Sequence, residues 1–150
     1  MACDVSFYHL ERSRLETVLP ELLEKTLARG WKAVVRSPLP ERLEQLDGSL
    51  WTWRDDAFLA HGLASEPNAE HQPILLSGDE TLANGAQALF LIDGAEAGDL
   101  AALERCILIF DGGDEEAVKR ARGQWQAFKG AGHDVAYWRQ SPTKGWERQA

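Results

Sequence analysis

Lys119, Arg122, Gln126 and Lys129 recur three and four residues apart in the last third of a 150-residue chain. On a helix turning about 100° per residue, these four side chains share an arc of roughly 80°. Val118 and Trp125 fall at the border of that arc, and Ala121 and Phe128 lie on the far side, where they are expected to pack on a sheet. Guanidinium and ammonium groups beside an indole edge suit a short peptide with a hydrophobic residue next to a carboxylate. The cations take the charge and the aromatic edge takes the side chain. Without a ligand, the same pattern is a solvated basic face with Trp125 closing the core. At this level both readings are open.

A second constellation is Trp51, Trp53 and Phe58, set among Arg54, Asp55 and Asp56. Large aromatics on a short charged segment either cover the core or anchor a partner. A third is a pair of apolar runs that each end in aspartate, Leu89-Phe90-Leu91-Ile92-Asp93 and Ile107-Leu108-Ile109-Phe110-Asp111. Strand-end aspartates can hold magnesium, so the alternative function is a small magnesium-dependent α/β phosphotransferase or hydrolase. An aspartate before glycine is more commonly a turn former or helix cap. Other catalytic patterns are missing. The turn His9-Leu10-Glu11-Arg12-Ser13 has no glycine to let backbone approach a pyrophosphate, and there is no GxxxxGK[ST] loop. His9, His61, His71 and His133 are scattered without metal-ligand spacing. Cys106 lies within an apolar run and reads as core. No cofactor and no metal are expected.

Net charge narrows the partners. The chain carries −8 overall. From Val118 to Ala150 there are seven basic and two acidic residues, or +5, whereas the first 117 residues hold 9 basic and 22 acidic, or −13. Such a body repels a phosphate backbone, so contact with DNA is expected only indirectly. Hydrophobic residues at 44% and charged residues at 27% fit a soluble globular chain, with no run near the roughly 18 apolar residues of a membrane span. Two cysteines without a CxxC, and no visible secretory signal, lead to the expectation of a single cytoplasmic domain over residues 1–150.

The elements that must position these residues alternate between strand and helix. Val5–Leu10 reads as a strand. Ser13 is expected to cap a helix carrying Leu15, Val18, Leu19, Leu22, Leu23 and Leu27, with Pro20 kinking its first turns and Gly30 ending it. Trp31–Arg36 reads as the second strand. Pro38 and Pro40 open a second helix that ends near Gly48, and a loop runs through His61, Gly62, Pro67 and Pro73. Ile74–Leu76 is a strand, Gly78–Gly85 a turn or short helix, and Asp99 a cap for a short helix. The runs at Ala88–Asp93 and Cys106–Asp111 fit central parallel strands covered on both faces. Asp114 is expected to cap the last helix, which runs to about Gly130. Asp134–Trp138 is a final strand and Lys144–Ala150 a tail. The sum is an α/β sandwich with a mostly parallel sheet.

The chain resembles the chi subunit of the bacterial DNA polymerase III holoenzyme. The blocks that carry the resemblance are Phe7-Tyr8, the first helix, Gly30-Trp31-Lys32-Ala33-Val34-Val35, Leu50-Trp51, Phe58-Leu59-Ala60-His61-Gly62, Gln72-Pro73-Ile74-Leu75-Leu76-Ser77, and a basic last helix ending Ala131-Gly132. The resemblance implies a Rossmann-like three-layer fold without a nucleotide-binding loop. It implies a non-catalytic clamp-loader accessory that links the replicase to single-stranded DNA-binding protein by holding its acidic, hydrophobic C-terminal tail on the last helix. Arg122 and Trp125 match family binding positions directly. The family usually carries basic residues where this chain has Val118 and Gln126, and Lys119 and Lys129 stand beside those positions. Trp51 and Phe58 match the aromatic pair with which the family holds the psi subunit, or a helicase partner in its place.

Overall fold

Period-2 alternation governs the central strands. In a computed structural model of the chain, the described residues are 3–11, 14–52, 61–78, 82, 84–98, 100, 103–140 and 146–149. Val5 and Phe7 of β1 (Asp4–Leu10) face one side of the sheet, and Tyr8 and Leu10 face the other. The same split runs through β2 (Ala33–Arg36), β4 (Ile74–Ser77), β5 (Ala88–Leu91) and β6 (Arg105–Asp111). Val34, Leu75, Leu89, Leu91, Cys106 and Leu108 join Phe7 in one core. Val35, Ile74, Leu76, Phe90, Ile107 and Ile109 join the other. Two buried faces are why these segments read as continuous apolar runs.

The sheet has eight strands in the order β3-β4-β2-β5-β6-β1-β7-β8. Here β3 is His61–Leu63, β7 is Asp134–Gln140 and β8 is Trp146–Arg148. Every pairing is parallel except β7 with β8. Helices α1 (Leu15–Ala28) and α2 (Pro40–Trp51) bury their apolar stripes on one face. Helix α3 (Glu115–Gly130) covers the other, over β6 and β7. The result is the expected open α/β sandwich of three layers.

Local chemistry sets the helix ends. Asp114 caps α3 as expected, accepting hydrogen bonds from the backbone N–H groups of Glu116 and Ala117 at 3.0 and 3.3 Å. Asp114→Ala is expected to cost about 1 kcal/mol, read as a fall of roughly 2–4 °C in Tm in a thermal melt. Gly30, at φ +82°, takes the left-handed turn that ends α1. Pro40 opens α2 at its first turn, where a missing N–H is harmless.

Several expectations change. Helix α2 does not end near Gly48. It runs on to Trp51, because Leu50 continues the buried stripe of Leu43 and Leu46, and that burial outweighs the roughly 1 kcal/mol propensity cost of a glycine inside the helix. His61-Gly62 is not loop but part of β3, a three-residue edge strand formed by backbone pairing with β4. The tail forms β8: Trp138, Arg139 and Gln140 pair with Arg148, Glu147 and Trp146, and the Trp146 ring meets Tyr8 edge-on at 4.9 Å. Strand β2 begins at Ala33 rather than Trp31, and β7 extends to Gln140. Helix α1 is continuous through a buried Pro20 and starts after Arg14, which makes no side-chain cap. Ser13, Trp53, Phe58, Asp99 and half of the Gly78–Gly85 turn lie outside the described residues.

Candidate functional site

The outer face of α3 is built from its inner one. Ala121 is buried against the sheet, and Phe128 and Trp125 pack edge-on against Phe7 of β1, with centroids 6.2 and 5.6 Å away. Phe7 is fully buried, so it fixes the height and tilt of both rings. That anchoring turns Lys119, Arg122, Gln126 and Lys129 outward together, and all four are exposed. Val118 and Trp125 are half-buried at the border, where the helical periodicity places them. The Lys129 ammonium lies 5.4 Å from the Trp125 ring centroid, a cation–π contact that stiffens the indole edge.

Reasoning from sequence missed Tyr137. It lies on β7, next to β1 and on the α3 side of the sheet. Its ring stacks on Phe7 at 6.4 Å and meets Trp125 at 5.8 Å with the planes at 74°. Burial pushes the Tyr137 phenol up from its usual range, while the nearby Arg139 and Arg122 guanidinium groups pull it down. The β7 alternation put Val135, Tyr137 and Arg139 on one face, but only the strand order shows that this face adjoins α3. The face therefore extends from α3 onto β7. Trp125 and Tyr137 are its half-buried aromatic part, and the exposed Arg122, Lys119 and Lys129 stand on the helix. An anionic peptide end with one apolar side chain fits this chemistry.

The phenol is held from below. Its oxygen lies 2.6 Å from Nδ1 of His9, a buried β1 residue. Nε2 of His9 faces Glu11 at 3.6 Å, and Glu11 is itself bound by Arg139. Burial and then Arg139 push the His9 pKa down, with Glu11 and Asp111 opposing. The ring is wedged under Gly112, where a Cβ would collide with Nε2. Glycine is required at that close approach.

The strand-end aspartates have other occupations. A cleft of about 560 Å³ opens where β1, β5 and β6 end, and both Asp93 and Asp111 line it. Asp93 accepts from Ser37 Oγ at 2.8 Å and from Arg42 Nε at 3.0 Å, and sits at φ +53° before Gly94. Its carboxylate locks a left-handed turn. Asp111 Oδ1 accepts from the Gly113 N–H at 2.8 Å, a turn contact that leads into α3. Among the described residues, no group of three or more histidine, cysteine or acidic side chains is placed to hold a metal ion. Cys106 is the core residue expected, fully buried, with its thiol pKa raised by that burial.

Trp51 occupies a separate surface. It ends α2, is 55% exposed, and leans over His61 with centroids 5.0 Å apart. His61 in turn bonds the Asp47 carboxylate at 3.0 Å, which ties the start of β3 to α2. Helix α2 packs on β3 and β4, whereas α3 packs on β6 and β7. The two aromatic surfaces thus lie toward opposite edges and on opposite faces of the sheet. No helix among the described residues is long and apolar enough to cross a membrane.

Comparison with known proteins agrees with the architecture. Residues 3–136 match the family model described as DNA polymerase III chi subunit, HolC. A relative from Rickettsia prowazekii (strain Madrid E), "Probable DNA polymerase III subunit chi", is 25% identical over 105 residues. That stretch covers 70% of this chain and 64% of the relative, just under two thirds of its length. With the family match spanning nearly the whole sheet and all three helices, the chain belongs to the DNA polymerase III chi subunit family.

Proposed function

We propose that this protein is a non-catalytic accessory subunit of the replicative polymerase. It links the clamp-loader assembly to single-stranded DNA-binding protein by capturing that protein's acidic C-terminal tail on α3. The observation that carries the reading is the joint placement of exposed Lys119, Arg122 and Lys129 beside half-buried Trp125. Cations on a rigid helix receive the tail carboxylates as charge-assisted hydrogen bonds. The indole, fixed by Phe7, offers a preorganised edge to one apolar side chain, so little ordering entropy is lost on binding. Val118 sits at the margin of that face and contributes shape, and Gln126 sits within it and contributes a neutral hydrogen-bonding group. The −13 on the first 117 residues supports a protein tail over DNA as the direct ligand. The engagement of Asp93 and Asp111 in turns disfavours the magnesium-enzyme alternative.

Calorimetric titration with the last ten residues of the cognate single-stranded DNA-binding protein tests this reading. A saturable 1:1 complex that weakens with added salt is expected. No heat at millimolar peptide would remove it.

Trp51, with Phe58, is proposed as the docking surface for a second protein, the psi subunit or a helicase in its place. An exposed tryptophan on a firm helix end is the residue type that dominates interface energies. Trp51→Ala is expected to abolish capture of that partner in a pull-down from cell extract while leaving the tail affinity within about twofold. Loss of both together would mean that the substitution unfolds the chain, a result a thermal melt would expose.

A further inference from the structure

The proposed tail surface is underlain by a titratable pair that charge capture alone does not require. We infer, resting on that reading, that His9 is a positioning residue that sets which way the Tyr137 hydroxyl points, and so whether Tyr137 helps to hold the tail carboxylate.

The geometry gives the two states. Tyr137 OH and His9 Nδ1 are 2.6 Å apart, so one of them donates to the other. Nε2 of His9 looks toward the Glu11 carboxylate. A neutral ring therefore carries its hydrogen on Nε2, and Nδ1 accepts the hydrogen of Tyr137. In that state the phenol turns only lone pairs outward, which is unfavourable beside an anion. When His9 takes a proton from solvent, Nδ1–H donates to the phenol oxygen instead. The Tyr137 hydrogen is then released toward the α3 face, where Arg122 is close enough to act on the phenol. The same event adds one positive charge beneath the site. Sequence holds the pair in register, since Phe7 stands opposite Tyr137 and His9 opposite Arg139 across β1 and β7.

The charged groups facing the ring come from three strands: Glu11 on β1, Asp111 on β6 and Arg139 on β7. Burial and Arg139 keep His9 neutral at pH 8, while Glu11 and Asp111 leave it able to protonate on acidification. A bound anion favours the protonated form. By linkage, binding then takes up a proton, and affinity rises as pH falls through the His9 titration. The carboxylates of the tail stay ionised throughout that range.

The test is calorimetric titration of the whole protein with the same ten-residue tail peptide at pH 7.0, 6.0 and 5.0, in two buffers of different ionisation enthalpy. Because His9 titrates below the ordinary histidine range, wild type is expected to gain at least about threefold in affinity from pH 7.0 to 5.0 and to show proton uptake. His9→Gln is expected to lose that extra gain and the uptake, and Tyr137→Phe to lose the part of the gain that the hydroxyl carries. Tyr137→Phe keeps the ring stack, so it answers the question even if His9→Gln folds poorly. His133, just beyond α3, is retained in every variant and its contribution cancels. Matching pH profiles in wild type and both variants would overturn the inference while leaving tail binding in place. No binding by wild type at any pH would overturn the reading on which it rests.

Discussion

Arg122→Ala is expected to weaken the tail peptide by about ten- to a hundredfold. Arg122 is exposed on α3, one turn from both Val118 and Trp125, and close enough to Tyr137 to pull on its phenol. It is the helix cation whose charge reaches the Tyr137 phenol. In a complex its guanidinium would pair with a carboxylate partly withdrawn from water, and loss of such a charged hydrogen bond costs on the order of 1.5–3 kcal/mol. Lys119 is an exposed side chain without such a neighbour, and Lys129 is already engaged over the Trp125 ring, so each alanine variant is expected to cost only about two- to fivefold. Because the Arg122 side chain is exposed, its removal should leave Tm unchanged within about 1 °C. An Arg122→Ala protein that binds with wild-type affinity would place the tail elsewhere.

Phe7→Ala carries the largest expected loss of stability, about 3–5 kcal/mol. The ring is fully buried and meets Trp125, Phe128 and Tyr137 at centroid distances of 5.6–6.4 Å. Three elements (β1, α3 and β7) share it, so no single neighbour can move in to fill the void. For a chain of this length the loss corresponds to a fall of roughly 6–20 °C in Tm. The same substitution releases the indole and phenol that form the aromatic part of the tail-binding face. At a temperature where the variant is still folded, tail affinity is therefore expected to fall as well, even though Phe7 cannot touch the peptide. A urea-unfolding loss below about 1 kcal/mol would show that Phe7 does not hold the two layers together.

The fold was legible where burial on both faces wrote it into composition. Leu89–Ile92 and Cys106–Phe110 could be recognised as central strands because each residue of either parity meets a core. The α3 boundaries were legible because Asp114 is a local cap whose partners lie two and three residues away. What escaped were elements defined by their neighbours. β3 and β8 are three-residue edge strands, and each exists through pairing with β4 or β7 rather than through its own propensity. The last turn of α2, beyond Gly48, is set by the burial of Leu50 and not by a local stop signal.

The candidate site divides in the same way. Lys119, Arg122, Trp125 and Lys129 share one helix, so a periodicity of 3.6 residues suffices to bring them together. Tyr137 and His9 are 128 residues apart, and their contact follows from the adjacency of β1 and β7, which no local pattern encodes. Asp93 illustrates the converse. Its strand-end position suggested a metal ligand, but Arg42 and Ser37 meet it only in the folded chain.

The central claim is most directly tested by mapping the peptide onto the protein. Backbone amide shifts of the labelled chain, recorded while the ten-residue tail is added, should move along the outer face of α3 from Val118 to Lys129 and at Tyr137 on β7. The Trp51 end of α2 should stay still. Shifts confined to any other surface, with that face of α3 unperturbed at saturation, would contradict the account.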